Sequence, residues 1–123
     1  MTADFEIKKQ KVVHTWAAWS LVQGSFSDPL GNDFTRTYVS SPGAVGVVAL
    51  LGEKSARQVI LVNQYRPPFN EKTLEIPAGM RDKQGEDSVI TARRELEEEA
   101  GFTAGTLLSI GSHESAPGIS NAR

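Results

Sequence analysis

The stretch "RRELEEEAGF" (93–102) crowds four glutamates, Glu95, Glu97, Glu98 and Glu99, around one apolar residue, Leu96. Like charges at helical neighbour spacings repel by a few tenths of a kcal/mol per pair, so the arrangement needs an offset, either nearby cations or a bound metal ion. At about 100° per residue, Glu99 falls about 40° to one side of Glu95 and Glu98 about 60° to the other. The three carboxylates therefore share a face and converge on a common point. Glu97 points away, and Ser88 and Thr91 fall on the carboxylate face. Val89, Ala92, Leu96 and Ala100 form an adjoining apolar stripe directed at the core. An exposed, salt-bridged helix is the ordinary reading of such a pattern. The cations for it are few, because Arg93 and Arg94 lie away from the Glu95/Glu99 side. Arg94 precedes Glu98 by four and can pair with it. Oxygen donors without sulfur or imidazole suit a hard divalent cation, magnesium or manganese. Geometry alone leaves both readings open.

The longer segment "GMRDKQGEDSVITARRELEEEAGF" (79–102) resembles the Nudix box. Glu86, seven residues, and then Arg94, Glu95, Leu96, Glu97, Glu98, Glu99, Ala100, Gly101 and Phe102 fit that pattern at every position. The front departs from it, since Gly79 stands six residues before Glu86 rather than five. Loop insertion of this kind costs little conformational entropy. The resemblance implies hydrolysis of a nucleoside diphosphate linked to another moiety. It implies Glu95, Glu98 and Glu99 as metal ligands, with the Ala78 backbone carbonyl as a further oxygen donor. Mg2+ or Mn2+ is the implied cofactor, and Arg94 joins these glutamates in the catalytic set. Glu86 is read as a partner of the helix start or of an arginine.

"QYRPP" and "LEIPAGM" before the box, with "APG" after it, resemble the ADP-ribose pyrophosphatase branch of that family. The likeness implies substrate contacts from Arg66 and Glu75, and AMP plus a sugar phosphate as products. It also implies a homodimer formed through the N-terminal region, with aromatic rings stacking the adenine. Trp16, Trp19 and Tyr38 are the candidates, and Trp19 and Tyr38 match best. Pro117 and Gly118 are expected to shape a substrate-side loop. His14 and His113 receive no role. A Nudix hydrolase for an oxidised nucleotide, a dinucleotide or capped RNA is the enzymatic rival. A nucleotide-binding module without turnover is the non-enzymatic one, and a purely structural dimer the third.

These residues require elements to hold them. Strands are expected at 15–26 and 34–40, joined as a hairpin by the Asp-Pro and Gly-Asn turn residues of 27–33. "SPG" (41–43) marks a boundary. The apolar runs "AVGVVALL" (44–51) and "QVILVNQYR" (58–66) read as core strands buried on both faces. "PPFNEK" (67–72) reads as a rigid exposed connection, and 73–79 as a short strand broken by Pro77. Asp87 or Ser88 caps a helix that runs to about Ala100 and stops at Gly101. A further strand is expected at 106–113, then a loop. The sum is an α/β domain, a Nudix-like α/β/α sandwich with a mixed sheet, spanning 43–123. An N-terminal β appendage for dimerisation spans 1–42.

Composition narrows the partners. The chain has 123 residues, 39% hydrophobic and 23% charged, which fits a folded domain and not a disordered chain. A formal net charge of -2 offers no broad attraction for nucleic acid or an anionic membrane. Cysteine is absent, which removes thiolate metal sites and accords with a cytoplasmic location. No apolar run suits a signal peptide or a membrane span.

The resemblance carries one more expectation. Relatives continue past "APGISNAR" with further strands, a second long helix and a loop bearing the catalytic base. The C-terminal part of the fold is therefore expected to be missing here, with one face of the core strands uncovered and hydrolysis by these residues alone weak.

Overall fold

A computed structural model describes residues 4–123. They divide into two compact units, one made of the residues up to Gly43 with Ser112–Arg123, the other of Ala44–Gly111. The sequence reading groups 112–123 with the second part instead.

In the first unit, β1 (Glu6–Trp16), β2 (Trp19–Ser27) and β3 (Asp33–Ser40) form an antiparallel meander in the order β1-β2-β3. The hairpin expected from 27–33 is present, in register from Ser20↔Ser40 to Ser27↔Asp33. Its turn is held by Asp28, whose carboxylate accepts from the backbone N–H groups of Leu30 and Asn32, both at 2.8 Å. Gly31 supplies the positive φ of 85° that the turn needs.

The strand expected over 15–26 is divided at Ala17–Ala18, where the chain reverses so that Trp16 pairs with Trp19. Ala17 takes a φ of 47°, and an Ala-Ala pair carries none of the Asn-Gly chemistry that advertises such a turn. β1 was not anticipated for that reason, and because every one of its residues is exposed. The terminal segment reaches β3 through a parallel bridge between Val39 and Ser120.

The second unit carries β4 (Ala44–Gly46), β5 (Leu50–Leu51), β6 (Gln58–Val59), β7 (Val62–Arg66), β8 (Glu71–Glu75), β9 (Ala78–Met80) and α1 (Ser88–Ala100). Three antiparallel ladders pair β4 with β9, β5 with β6 and β7 with β8. The helix begins where expected, with the Asp87 side chain accepting from Val89 N–H. It ends at Gly101, whose φ of 72° closes the last turn through a bond to the Glu97 carbonyl. Pro77 separates β8 from β9, as its missing N–H requires.

Val47 and Ala49 meet Ala92 and Leu96 from the helix, and Val45, Ile60, Ala100, Ala104 and Leu107 surround them. A buried leucine or valine is worth roughly 1.5–3 kcal/mol. So small a core fixes the helix on its strands, yet leaves its orientation dependent on polar contacts as well.

Three expectations are corrected. The run 44–51 is buried on one face only, and 58–66 is no more than half-buried on one face. Val47 and Ala49 point to the helix, while Val48, Leu50 and Leu61 are 45–56% exposed. Side chains alternate along extended backbone, and α1 covers only one side. Second, the exposed connection is shorter than expected: 67–70 form a tight reversal in which Phe69 N–H meets the Arg66 carbonyl and Asn70 N–H the Pro67 carbonyl, and residues 71 and 72 already belong to β8. Third, 106–113 has no ladder partner and forms no strand, with Leu108 and Ile110 more than 80% exposed. Among the described residues α1 is the one helix, and no helix is long and apolar enough to cross a membrane.

Candidate functional site

Pairing of β4 with β9 sets Gly46 opposite Ala78 and Val45 opposite Gly79, and α1 packs across both strands. This brings the carboxylates of the helix onto the "PAG" backbone. Glu95 lies so close over Gly79 that any Cβ there would overlap its carboxyl group. Only glycine permits this approach. Glu99 accepts a hydrogen bond from the Ala78 N–H at 3.1 Å. Glu98 is turned outward, with 59% of its side chain exposed.

Arg94 holds the group together. Its Nη1 donates to Glu95 at 2.9 Å and lies 3.5 Å from Glu98, while Nη2 donates to Glu86 at 3.0 Å. The sequence reading keeps Arg94 away from Glu95. A long side chain folds back over its neighbour more readily than ideal helix angles suggest, and the planar fork spans two carboxylates at once. Glu86 raises the Arg94 pKa, chiefly through the hydrogen bond between them. Glu86 in turn is held below the usual carboxylate range by hydrogen bonds from Thr91 and then Arg94. It serves both the helix start and an arginine, the two roles its place in the sequence left open. Arg94 Nε is buried without a partner.

The β7–β8 ladder presents the second cluster. Arg66 reaches back along its own face to Glu75, donating from Nε at 2.7 Å and from Nη2 at 2.5 Å. Thr73, between them on that face, donates its hydroxyl to Glu75 at 2.5 Å. Glu75 is lowered to about 2, first by Arg66 and then by Thr73. Arg66 is raised mainly by Glu75, with a smaller contribution from the charge of Glu99. Arg66 thus stands within the field of the acidic helix.

Five carboxylates, Glu75, Glu86, Glu95, Glu98 and Glu99, face two guanidiniums here. The donors are all oxygen, which suits a hard divalent cation in kind. The convergence inferred from helix angles is not preformed. Among the described residues no three acidic or imidazole side chains gather closely enough to hold a metal ion. Glu95 is engaged by Arg94, Glu99 by the Ala78 amide, and Glu98 faces outward, so each carboxylate is held separately.

Tyr38 and Trp19 belong to the first unit. Tyr38 lines a cleft of about 290 Å³ with Arg36, Pro117, Gly118, Ser120 and Asn121, and its hydroxyl accepts from Gln10 Nε2 at 2.8 Å. Trp19 is not among the lining residues and packs against Trp16, with centroids 6.1 Å apart. The structure therefore gathers Tyr38 with the Pro117–Gly118 loop but not with Trp19. Arg36 was missed, although its i, i+2 relation to Tyr38 on one strand puts both on one face. Thr73 and Thr91 were missed as well, since a lone threonine carries no signal until its partner is in place.

A family model, the NUDIX domain, matches residues 41–121, and the chain belongs to that family. Within it, the chain is similar to enzymes of the ADP-ribose pyrophosphatase branch. It is 36% identical over 118 residues to the ADP-ribose pyrophosphatase of Mycobacterium tuberculosis, covering 96% of this chain and 56% of the relative. It is 42% identical over 93 residues to the enzyme of the same name from Bacillus subtilis, covering 76% of this chain and 48% of the relative. The chain thus spans about half the length of these relatives. A crystal structure described as an ADP compounds hydrolase superposes with a TM-score of 0.80 at 20% identity, over 99% of this chain and 64% of that one. That likeness establishes the Nudix-like α/β fold.

Proposed function

We propose that this chain carries the site for metal-dependent hydrolysis of the diphosphate bond in ADP-ribose or a related nucleoside diphosphate sugar, releasing AMP and a sugar phosphate. The observation that carries the reading is the seating of Glu95 on bare Gly79, with Arg94 braced across Glu86, Glu95 and Glu98. A helix stabilised only by surface charge has no use for so close an approach, and isolated surface pairs contribute little. Relatives named for ADP-ribose support the substrate class.

In this reading Glu95, Glu98, Glu99 and the Ala78 carbonyl would hold Mg2+ or Mn2+. Neutralised diphosphate oxygens and a lowered pKa for an attacking water are what such a cation supplies. The chain's own groups do the positioning. Arg94 braces Glu95 at 2.9 Å and stands 3.5 Å from the outward-facing Glu98, and the Ala78 N–H fixes Glu99. Arg66 offers a guanidinium fork to a phosphate; its two bonds to Glu75 occupy only part of its five donors. Glu75 holds that fork in place, and Thr73 holds Glu75. Tyr38 and Trp19 supply aromatic faces for an adenine, and a homodimer forms through the N-terminal strands.

Incubating the full chain with ADP-ribose, another nucleotide sugar and an oxidised nucleoside triphosphate, each with Mg2+ or Mn2+, tests the assignment. AMP and ribose 5-phosphate from ADP-ribose are expected, with Arg66→Ala weakening binding or turnover. An inert ADP-ribose beside a rapidly cleaved oxidised nucleotide would overturn the substrate.

A further inference from the structure

Thr91 is the one residue of α1 with no exposed surface, and it lies on the carboxylate side of the helix. Alanine at such a position would favour the helix more than threonine does, so the hydroxyl needs a use. Its use is a 2.7 Å hydrogen bond to Glu86 Oε1, with a second, longer contact of 3.3 Å to the Asp87 carbonyl one turn back. Glu86 precedes the helix cap and has no helical geometry of its own to orient it. The same Oε1 accepts from Arg94 Nη2, and Arg94 Nη1 goes on to Glu95 and Glu98.

A continuous line of polar contacts therefore runs from a fully buried point on the helix, through a loop carboxylate and an arginine, to two carboxylates of the candidate metal site. Side-chain exposures of 16% for Glu86, 22% for Arg94 and 12% for Glu95 shield this line as far as Glu95, while Glu98, 59% exposed, is its open end. Shielded hydrogen-bonded networks of this kind fix geometry more strongly than surface pairs do.

We infer that Thr91 is a positioning residue for the carboxylates of α1, acting through Glu86 and Arg94. The inference rests on the metal-binding reading above. Without the hydroxyl, Glu86 keeps Arg94 as its remaining side-chain partner. The arginine then loses the fixed point from which it holds Glu95 and Glu98. Valine removes the hydroxyl with little change of volume, alanine removes it in a better helix former, and serine keeps it while losing only the methyl.

Affinity for Mn2+ alone, measured on the full chain by titration calorimetry or Mn2+ paramagnetic resonance, reads the effect without recourse to turnover. Partners one shell beyond a metal's ligands typically contribute 10- to 100-fold to affinity. Thr91→Val and Thr91→Ala are expected to bind Mn2+ about tenfold more weakly, at the lower end because Thr91 is a further step removed. Thr91→Ser is expected to bind like the unaltered chain. Helical circular dichroism and Tm establish that each variant is folded, and Thr91→Ala carries the test if the valine variant does not fold. Unaltered chain that takes up Mn2+, together with hydroxyl-free variants that bind it equally well, would overturn the role of Thr91 alone. So would a serine variant as weak as the valine one. Unaltered chain that takes up no Mn2+ would overturn the metal reading itself, and the positioning role with it.

Discussion

Arg66 and Glu75, nine residues apart on neighbouring strands, grip each other through two hydrogen bonds of 2.7 and 2.5 Å. Both come from positions expected to touch substrate, and here each is the other's partner. The pair holds the guanidinium plane in one orientation, so under the proposed function a phosphate would meet a fork already ordered. That ordering removes part of the entropy cost a free arginine would bear on binding.

The pair makes stability depend on pH. Glu75 titrates at about 2 in the folded chain against 4.5 as its ordinary value. Its contribution is therefore fully present above about pH 4.5 and is lost as the pH falls through about 2. Glu75→Gln should lower Tm near neutral pH, and the gap from the unaltered chain should close as the pH approaches the folded value. A gap that stays constant down to that pH would show that the ion pair is not its source.

Glu98→Gln and Glu99→Gln keep shape while removing charge from the proposed metal-binding set. Each should lower turnover by about a hundredfold or more, with circular dichroism unchanged, because first contacts to the cation exceed the outer-shell effects. Folded variants that retain full activity would remove these carboxylates from the site.

Gly79→Ala introduces a methyl into space that the Glu95 carboxyl group occupies. Either the helix or the β9 backbone must shift, and overpacking of this kind costs about 1–3 kcal/mol. Tm and turnover should both fall. Gly105→Ala meets nothing within 4 Å and should change neither. Equal behaviour of the two variants would mean that Glu95 moves aside freely.

β1 is an edge strand with all of its side chains exposed, Ile7, Val12, Val13 and Trp16 among them. An open edge with apolar side chains favours association. Light scattering at micromolar concentration should report twice the chain mass, and Val12→Lys should shift the protein toward monomer. A monomeric unaltered chain would remove the dimer and any adenine stacking that depends on it.

Much of the site is legible along the sequence because a helix converts spacing into geometry. The core stripe of Ala92 and Leu96 follows from a fixed angle per residue, and the Asp87 cap and Gly101 stop from side-chain and left-handed backbone chemistry. The β2–β3 hairpin is legible for a similar reason, since Asp-Pro and Gly-Asn have few conformations open to them. Long-range packing decided the rest. Nothing local marks Ala17–Ala18 as a turn, so β1 appears only when β2 pairs back along it. The apolar runs cannot say whether one or both faces are covered, because that depends on what packs there. Nor does sequence reveal that Gly79 lies beneath Glu95, that Thr91 binds Glu86, or which arginine Glu86 takes as its partner. Those contacts join a strand, a loop and a helix, and they exist because the small core of Val47, Ala49, Ala92 and Leu96 sets the helix on β4 and β9 at that one place. The sequence determined which groups could act. The tertiary structure decided which of them are held, and by whom, because the direction of a side chain depends on contacts far away along the chain.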